Sequence, residues 1–184
     1  MCENDGGWLM KSKLPELVRQ AKQGDAFAFA RLYEEIYKDL YRFAYCTVKN
    51  AHTAEDVVSD SVLNAYENIH KLRNNESFRS WMFQIVANEC KRQFRLQSKT
   101  VPYETDVVQD APQPASDLTD RLAIRQAFDM LNEQERLIVG LSLYGGYSGK
   151  EISHFLRKKE STVRSIKGRA LNKMKQILEV SDDD

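Results

Sequence analysis

The densest set of chemically capable side chains lies between residues 148 and 178. Ser148-Gly-Lys-Glu151 has the spacing of a capping box, in which hydroxyl and carboxylate satisfy each other's backbone N–H groups at a helix start. A basic turn, Arg157-Lys158-Lys159, separates this short helix from a longer one running from about Glu160 to Leu178. A capped short helix, a tight turn and a basic second helix make a helix-turn-helix pattern. Ile152, Phe155, Val163, Ala170 and Met174 are spaced to pack the pair inward. Arg164, Ser165, Lys167, Gly168 and Arg169 are left on or near the outer face. Arginine can hold a guanine edge through two hydrogen bonds, and lysine or serine can hold phosphate. Gly168 removes a side chain where a DNA backbone would approach. The same pattern also suits an ordinary helical hairpin with a solvated basic face.

A second constellation is Ala54-Glu-Asp-Val-Val-Ser-Asp60. Glu55, Asp56 and Asp60 line one side of a helix, opposite the valines, with Asp56 and Asp60 neighbours at four-residue spacing. Such carboxylates can ligate a metal, work as an acid/base pair, dock a basic partner or simply face water. No further carboxylate close in sequence completes a metal or hydrolytic site. A third constellation runs from Asn64 to Arg95. It mixes aromatics (Tyr66, Phe78, Trp81, Phe83, Phe94) with a polar loop and cations. Aromatics beside lysine and arginine suit single-stranded nucleic acid, where bases stack over a positive groove. The helical spacing of Phe78 and Trp81 argues instead that those two belong to a core.

The elements that must position these residues are helical. Leu14, Leu17, Val18 and Ala21 mark a first helix ending at Gly24. A second opens at Asp25 and carries Phe27, Leu32, Ile36, Leu40, Phe43 and Ala44 to about Thr47. A third takes Thr53 as N-cap, with Glu55 and Asp56 in its first turn, where the helix dipole favours them. Its apolar face is Val57, Val58, Val62, Ala65, Tyr66 and Ile69. Ser77 caps a fourth, which buries Phe78, Trp81, Met82, Ile85 and Val86 and ends on Lys91, Arg92 and Arg95. Residues 98–116 hold three prolines and no helical period, and read as a flexible linker. Ser116 or Asp117 caps the next helix, with Leu118, Leu122, Phe128 and Leu131 inward. Asn132-Glu-Gln-Glu135 starts another, which carries Leu137, Ile138 and Leu141 and stops at Gly145-Gly146. Strand signals are weak throughout. The expected fold is all-α: two helical domains joined by a flexible linker, the second with a helix-turn-helix.

Charge at first argues against a nucleic-acid partner, because 27 basic and 27 acidic residues cancel. Segregation removes the objection. Residues 1–99 carry 15 basic and 13 acidic groups, and residues 121–178 carry 12 and 5. Residues 100–120 carry 5 acidic groups and no basic ones, and residues 179–184 carry 4 and none. A basic C-terminal block is masked by an acidic linker and tail. Three scattered cysteines, Cys2, Cys46 and Cys90, form no CxxC pair and read as reduced thiols. Cys46 and Cys90 fall inside helices and read as buried and inert rather than as a redox sensor. There is no apolar leader after MCENDGG, and the run from Leu137 to Tyr147 is too short to span a bilayer. These features predict a soluble cytoplasmic protein without stable membrane insertion, cofactor or metal.

Three stretches together resemble one family: AEDVVSDSVLNAYENI (54–69), FRSWMFQIVANECKRQFR (78–95) and LNEQERLIVGLSLYGGYSGKEISHFLRKKESTVRSIKGRAL (131–171). They are similar to the extracytoplasmic-function sigma factors, the smallest sigma-70-type subunits of bacterial RNA polymerase. The likeness covers about residues 14 to 178. It implies a domain at 14–97 that binds core polymerase and opens the −10 element, a linker at 98–116, and a −35-reading domain at 117–178. Glu55, Asp56 and Asp60 would dock on the clamp helices of the largest polymerase subunit, with the flap as a further contact. His70, Lys71, Arg73, Asn74 and Asn75 would capture a flipped non-template base, a step costing a few kcal/mol. Lys91, Arg92 and Arg95 would hold the −10 backbone. Arg164, Ser165, Lys167 and Arg169 would enter the −35 major groove. An anti-sigma factor is a further implied partner, and the protein would not itself be an enzyme.

The chain departs from the family pattern at named positions. Ser59 stands where the family usually has Gln, and Arg92 where it has Asp. Arg157 replaces a turn glycine, and Lys159 a serine cap worth about 1 kcal/mol. Ile166 and Lys167 are exchanged in character. The 20 residues from Gln97 to Ser116 reach at most about 65–70 Å extended and average roughly 25 Å as a coil. That length joins DNA elements one to two helical turns apart, and the tether raises effective concentration. The competing function is a stand-alone helix-turn-helix regulator that binds duplex DNA without polymerase. A carboxylate-metal hydrolase is a weaker rival for want of a ligand cluster.

Overall fold

Local hydrogen bonds fix where most helices begin. The computed structural model describes residues 6–97 and 123–181. Helix α1, Gly6–Lys22, closes at Gly24, whose φ of 95° is left-handed ground that glycine enters without a Cβ clash. The Asp25 carboxylate then accepts the N–H groups of Phe27 and Ala28 at 2.9 and 3.1 Å and starts α2, Ala26–Glu34. The single helix expected from Asp25 to Thr47 is in fact two, because α3, Tyr37–Val48, begins after a joint. At the joint Ile36 has φ −117° and its N–H turns back to the Tyr33 carbonyl. The break has a packing cause. Leu32, Ile36, Leu40 and Ala44 are four apart, and on a straight helix such a row drifts by about 40° per step. The joint resets the drift, so all four stay buried.

Helix α4, Ala51–Asn68, also differs from expectation. Its N-cap is Asn50, whose side chain accepts the Thr53 N–H at 2.8 Å, so Glu55 and Asp56 fall beyond the first turn. Two 3-10 turns, Ile69–Lys71 and Asn75–Ser77, lead into α5, Phe78–Gln97. Phe78, Met82, Phe83, Val86 and Cys90 of α5 are fully buried against Val57, Leu40 and Phe43. Tyr66, expected inward, is 42% exposed and touches Phe29 only edge-on, with ring centroids 5.1 Å apart.

Residues 123–129 form α6, followed by α7, Glu133–Leu143, α8, Gly149–Leu156, and α9, Glu160–Ser181. Both expected capping boxes form: Asn132 with Glu135, and Ser148 with Glu151. The linker 98–116, the cap at Ser116 or Asp117, and Leu118 and Leu122 lie outside the described residues. Among the described residues there is no strand. Arg157 caps α8 with φ 52°, a left-handed conformation that a non-glycine residue adopts at a cost.

The two helical domains do not stand apart. Leu137, Ile138, Leu141, Tyr147, Ile152 and Val163 join the same buried cluster as Phe43 and Phe83. A second cluster, with Phe128, Leu131, Val139 and Ala170, lies within the C-terminal domain. Gly140 shows how closely α7 seats on α3. A glycine inside a helix costs about 1 kcal/mol relative to alanine. A Cβ at this glycine would lie 2.8 Å from Phe43 Cδ2, so the ring occupies the space a side chain would need. Polar bonds cross the same junction. Arg136 Nε donates to the Thr47 carbonyl at 2.7 Å, and Arg79 Nη2 to the Tyr144 carbonyl at 2.8 Å. The Tyr147 hydroxyl donates to the Ser80 carbonyl. Lys49 pairs with Asp129 at 3.1 Å.

Candidate nucleic-acid and partner interfaces

In the helix-turn-helix, Ile152, Val163 and Ala170 are fully buried and Met174 nearly so. That packing turns Arg164, Ser165, Gly168 and Arg169 to solvent. Arg164 reaches back to Glu160 at 3.1 Å, yet its side chain stays 79% exposed. The pair is a surface one and holds the guanidinium only weakly. A Cβ at Gly168 would meet open space.

Lys167 takes a different direction from the one the sequence implies. Its ammonium donates to Ser142 Oγ at 2.5 Å, and it rims a groove of about 590 Å³ between α6, α7 and α9. Ile166 packs on the main core. The exchange of character at 166 and 167 thus follows burial: the aliphatic side chain goes in, and Lys167 lines the groove together with Leu171 and Met174. The exposed face of α9 therefore carries Arg164, Ser165 and Arg169, with Lys167 half-buried at its edge.

On α4, Glu55, Asp56, Ser59 and Asp60 are exposed. Leu63, 65% exposed, continues the Asp56–Asp60 row by one turn. The stripe is acidic with an apolar end, which suits a partner more than a metal. Among the described residues, no three histidine, cysteine or acidic side chains converge to hold an ion. Asp60 Oδ2 lies 3.4 Å from Arg92 Nη2, and Arg92 also bonds Glu89 at 2.5 Å. The structure thus joins one expected polymerase contact to one expected DNA contact.

The five loop candidates divide into two groups. Asn74 Oδ1 accepts the Glu76 N–H at 3.0 Å. Asn75 accepts from Lys22 Nζ at 2.6 Å and donates to the Pro15 carbonyl at 3.1 Å. Both asparagines hold the loop onto itself and onto α1, anchored by buried Leu72. His70, Lys71 and Arg73 are exposed, with Lys71 resting on Asn68 Oδ1 at 2.5 Å.

At the end of α5 the cations also part company. Arg95 is exposed, its Nε on the Lys91 carbonyl at 3.2 Å. Lys91 lies 5.0 Å from the centroid of Phe155 in α8. Burial chiefly, then Arg95 and Arg157, lowers its proton affinity. Of the five aromatics read as a stacking surface, Tyr66 stays exposed and three are used for packing. Phe78 and Phe83 are buried, and Phe94 lies under the Arg136 guanidinium at 5.8 Å. Cys90 is buried as expected, whereas Cys46 is only half-buried. Burial pushes both Cys46 and Cys90 upward, and Cys46 sits 3.6 Å from the Tyr144 hydroxyl oxygen. Cys2 lies outside the described residues.

The cross-junction residues, Arg79, Arg136, Gly140 and Tyr147, were not visible as functional from sequence. Gly140 carried a signal, being a glycine inside a strongly apolar helix. The others are partnered across 65 to 89 residues of chain, which no local pattern encodes.

Comparison with known proteins follows the same division. The family model Sigma-70 region 2 matches residues 32–100, and Sigma-70, region 4 matches residues 127–176. The chain is 27% identical over 175 residues to the ECF RNA polymerase sigma factor BldN of Streptomyces coelicolor, covering 91% of this chain and 66% of BldN. It is 29% identical over 165 residues to the ECF RNA polymerase sigma factor SigM of Mycobacterium tuberculosis, covering 89% and 83%. The sigma factor RpoE of Bartonella quintana, solved with the anti-sigma factor NepR, shares the fold. Its TM-score is 0.68 and its identity 23%, over 83% of this chain and 97% of that one. Two sigma-70 regions in this order, on a chain whose described residues form helices and no strand, decide against a stand-alone regulator: the chain belongs to the sigma-70 family, as an extracytoplasmic-function RNA polymerase sigma factor.

Proposed function

We propose that this sigma factor divides promoter selection among three surfaces. Glu55, Asp56 and Asp60, with Leu63 at the end of their row, dock on the clamp helices of the polymerase core. His70, Lys71 and Arg73 take the flipped base of the −10 element, on a loop that Asn74 and Asn75 hold in shape. Lys91, Arg92 and Arg95 follow the adjoining backbone. Arg164, Ser165 and Arg169 read the −35 element, and the flap meets the second domain. The units are 14–97, 98–116 and 117–178. The protein is cytoplasmic, does no chemistry of its own and needs no cofactor; the polymerase supplies catalysis. No described helix is long and apolar enough to cross a membrane. An anti-sigma factor is a fitting partner, as the RpoE–NepR complex illustrates for a protein of the same fold.

The observation that carries this reading is the exposed acidic stripe ending in Leu63. An exposed acidic stripe repels DNA phosphates and, with an apolar end, suits a protein partner. The test is transcription from a cognate promoter with core enzyme, comparing wild type with Asp56→Lys/Asp60→Lys. Reversal of two contact charges should weaken core binding at least tenfold, on the order of 1.4 kcal/mol or more. Helicity should not change. Undiminished core-dependent output would remove the docking assignment.

A further inference from the structure

We infer that Arg92 couples polymerase docking to promoter binding: Glu89 aims its guanidinium at Asp60 of α4, and a basic partner that takes the Asp60 carboxylate frees that guanidinium for a DNA phosphate. The inference rests on the docking and −10 roles proposed above and adds the link between them.

The two carboxylates hold Arg92 unequally. Glu89 lies one turn back on α5. Its Oε1 accepts from Arg92 Nε at 2.6 Å and lies 2.5 Å from Nη2. The Glu89 side chain is 17% exposed, and Gln93 Nε2 donates to the same oxygen at 3.4 Å. Asp60 comes from the other helix. Its side chain is 56% exposed, and its Oδ2 stands 3.4 Å from Arg92 Nη2. Charge-assisted bonds of this kind ordinarily run about 2.7–2.9 Å. The Glu89 contact is therefore the strong one, and it moves with α5. The Asp60 contact is long and open to water, so it is the first to exchange. Glu89 is thus a positioning residue, and Asp60 is the partner that leaves.

Charge decides what replaces it. One guanidinium between two carboxylates leaves the cluster net negative, so an approaching phosphate is opposed and not drawn in. A basic partner on the acidic stripe neutralises Asp60, brings the cluster to zero and takes away the second acceptor of Arg92. A phosphate can then occupy the place beside Nη2. Both bindings draw on the same pair, so each favours the other by the same factor. Exposure sets the size: an ion pair this open is worth at most about a fivefold change in affinity. Arg92 stands where the family pattern has Asp. An aspartate there would repel Asp60, so the link belongs to this chain.

The test is a double-mutant cycle on Asp60 and Arg92 in the full chain. The probe is a fluorescent single-stranded oligonucleotide spanning the −10 element of a cognate promoter, titrated with the factor alone and followed by anisotropy. Asp60→Asn keeps the side-chain shape and removes the charge. We expect it to tighten oligonucleotide binding about threefold in the otherwise wild-type chain, and by less than about 1.5-fold in Arg92→Gln. In a second arm, core enzyme is titrated onto the labelled factor with and without saturating oligonucleotide. The oligonucleotide should tighten core binding about threefold more for wild type than for Arg92→Gln. A mere staple between α4 and α5 would lower Tm on substitution and produce neither coupling. An equal effect of Asp60→Asn in both backgrounds, or none in either, overturns the link. Equal enhancement of core binding in wild type and Arg92→Gln overturns it as well. The roles beneath it fail differently. If holoenzyme carrying Arg92→Gln binds the oligonucleotide as tightly as wild type, the −10 assignment of Arg92 falls. If Asp56→Lys/Asp60→Lys keeps full core affinity, the docking assignment falls.

Discussion

Replacing Arg136 with lysine keeps a charge and removes a fork. In the folded protein Arg136 Nε donates to Thr47 O at 2.7 Å and Nη1 to Leu131 O at 2.8 Å. Burial lowers the guanidinium's proton affinity, while Glu133 and Asp129 pull it back up. The charge is thus expensive here, and the two carbonyls are what hold it. A lysine ammonium is a point donor that cannot hold both carbonyls in the same geometry. One charge-assisted bond, worth about 1.5–3 kcal/mol, is lost and a buried carbonyl is left without it. The expected cost of Arg136→Lys is about 2 kcal/mol, or roughly 4–8 °C in Tm for a chain of this size. Arg136→Met loses both bonds but also the buried charge, and should cost about 3 kcal/mol. Urea unfolding followed by circular dichroism measures both. A Lys variant within 0.5 kcal/mol of wild type, or a Met variant more stable than wild type, would refute the reasoning. The second result would mean that burying the charge costs more than its two bonds return.

Two further predictions follow from single side chains. Burial tends to raise the Glu135 pKa, but Lys173 and the Asn132 N–H outweigh it, so the group lies below its ordinary value of 4.5. A depressed carboxylate stabilises the fold above its unfolded value and loses that contribution as pH falls through the folded one. Wild type should therefore lose stability below pH 4.5 more steeply than Glu135→Gln, and parallel urea titrations at several pH values would deny the effect. At the recognition helix, Arg164→Ala should relax −35 sequence discrimination by about 1–3 kcal/mol, while Lys167→Ala should leave it within error. Competition binding with single-base −35 variants separates the two, and equal losses would mean that Lys167 turns outward on DNA.

The sequence made the second domain more legible than the first. Its helix starts are written as capping boxes, Asn132 with Glu135 and Ser148 with Glu151, and both are local signals read within four residues. The first domain hides its boundaries in packing. The joint at Ile36 has no glycine or proline to announce it, and the cap is Asn50, three residues before the Thr53 expected from sequence. The candidate sites were legible to a similar degree. The outward set on α9 followed from periodicity except at Lys167, where Ser142 of another helix decides the direction. The family resemblance implies base contacts at Asn74 and Asn75, and only the structure adds the bond of Asn74 within the loop and those of Asn75 to Lys22 and Pro15. The docking of one domain on the other was not legible. Its bonds join residues tens of positions apart, and several end on backbone carbonyls, which every sequence possesses.

Gly140 gives this protein a position whose mutational sign depends on its neighbour. In a free second domain, alanine at 140 would strengthen α7 by about 1 kcal/mol through helix propensity alone. In the whole chain the same methyl meets Phe43 Cδ2 at 2.8 Å. The stability of the part and the cohesion of the whole are thus set against each other at one atom. A screen for thermostable variants of the isolated second domain would select the substitution that loosens the intact molecule.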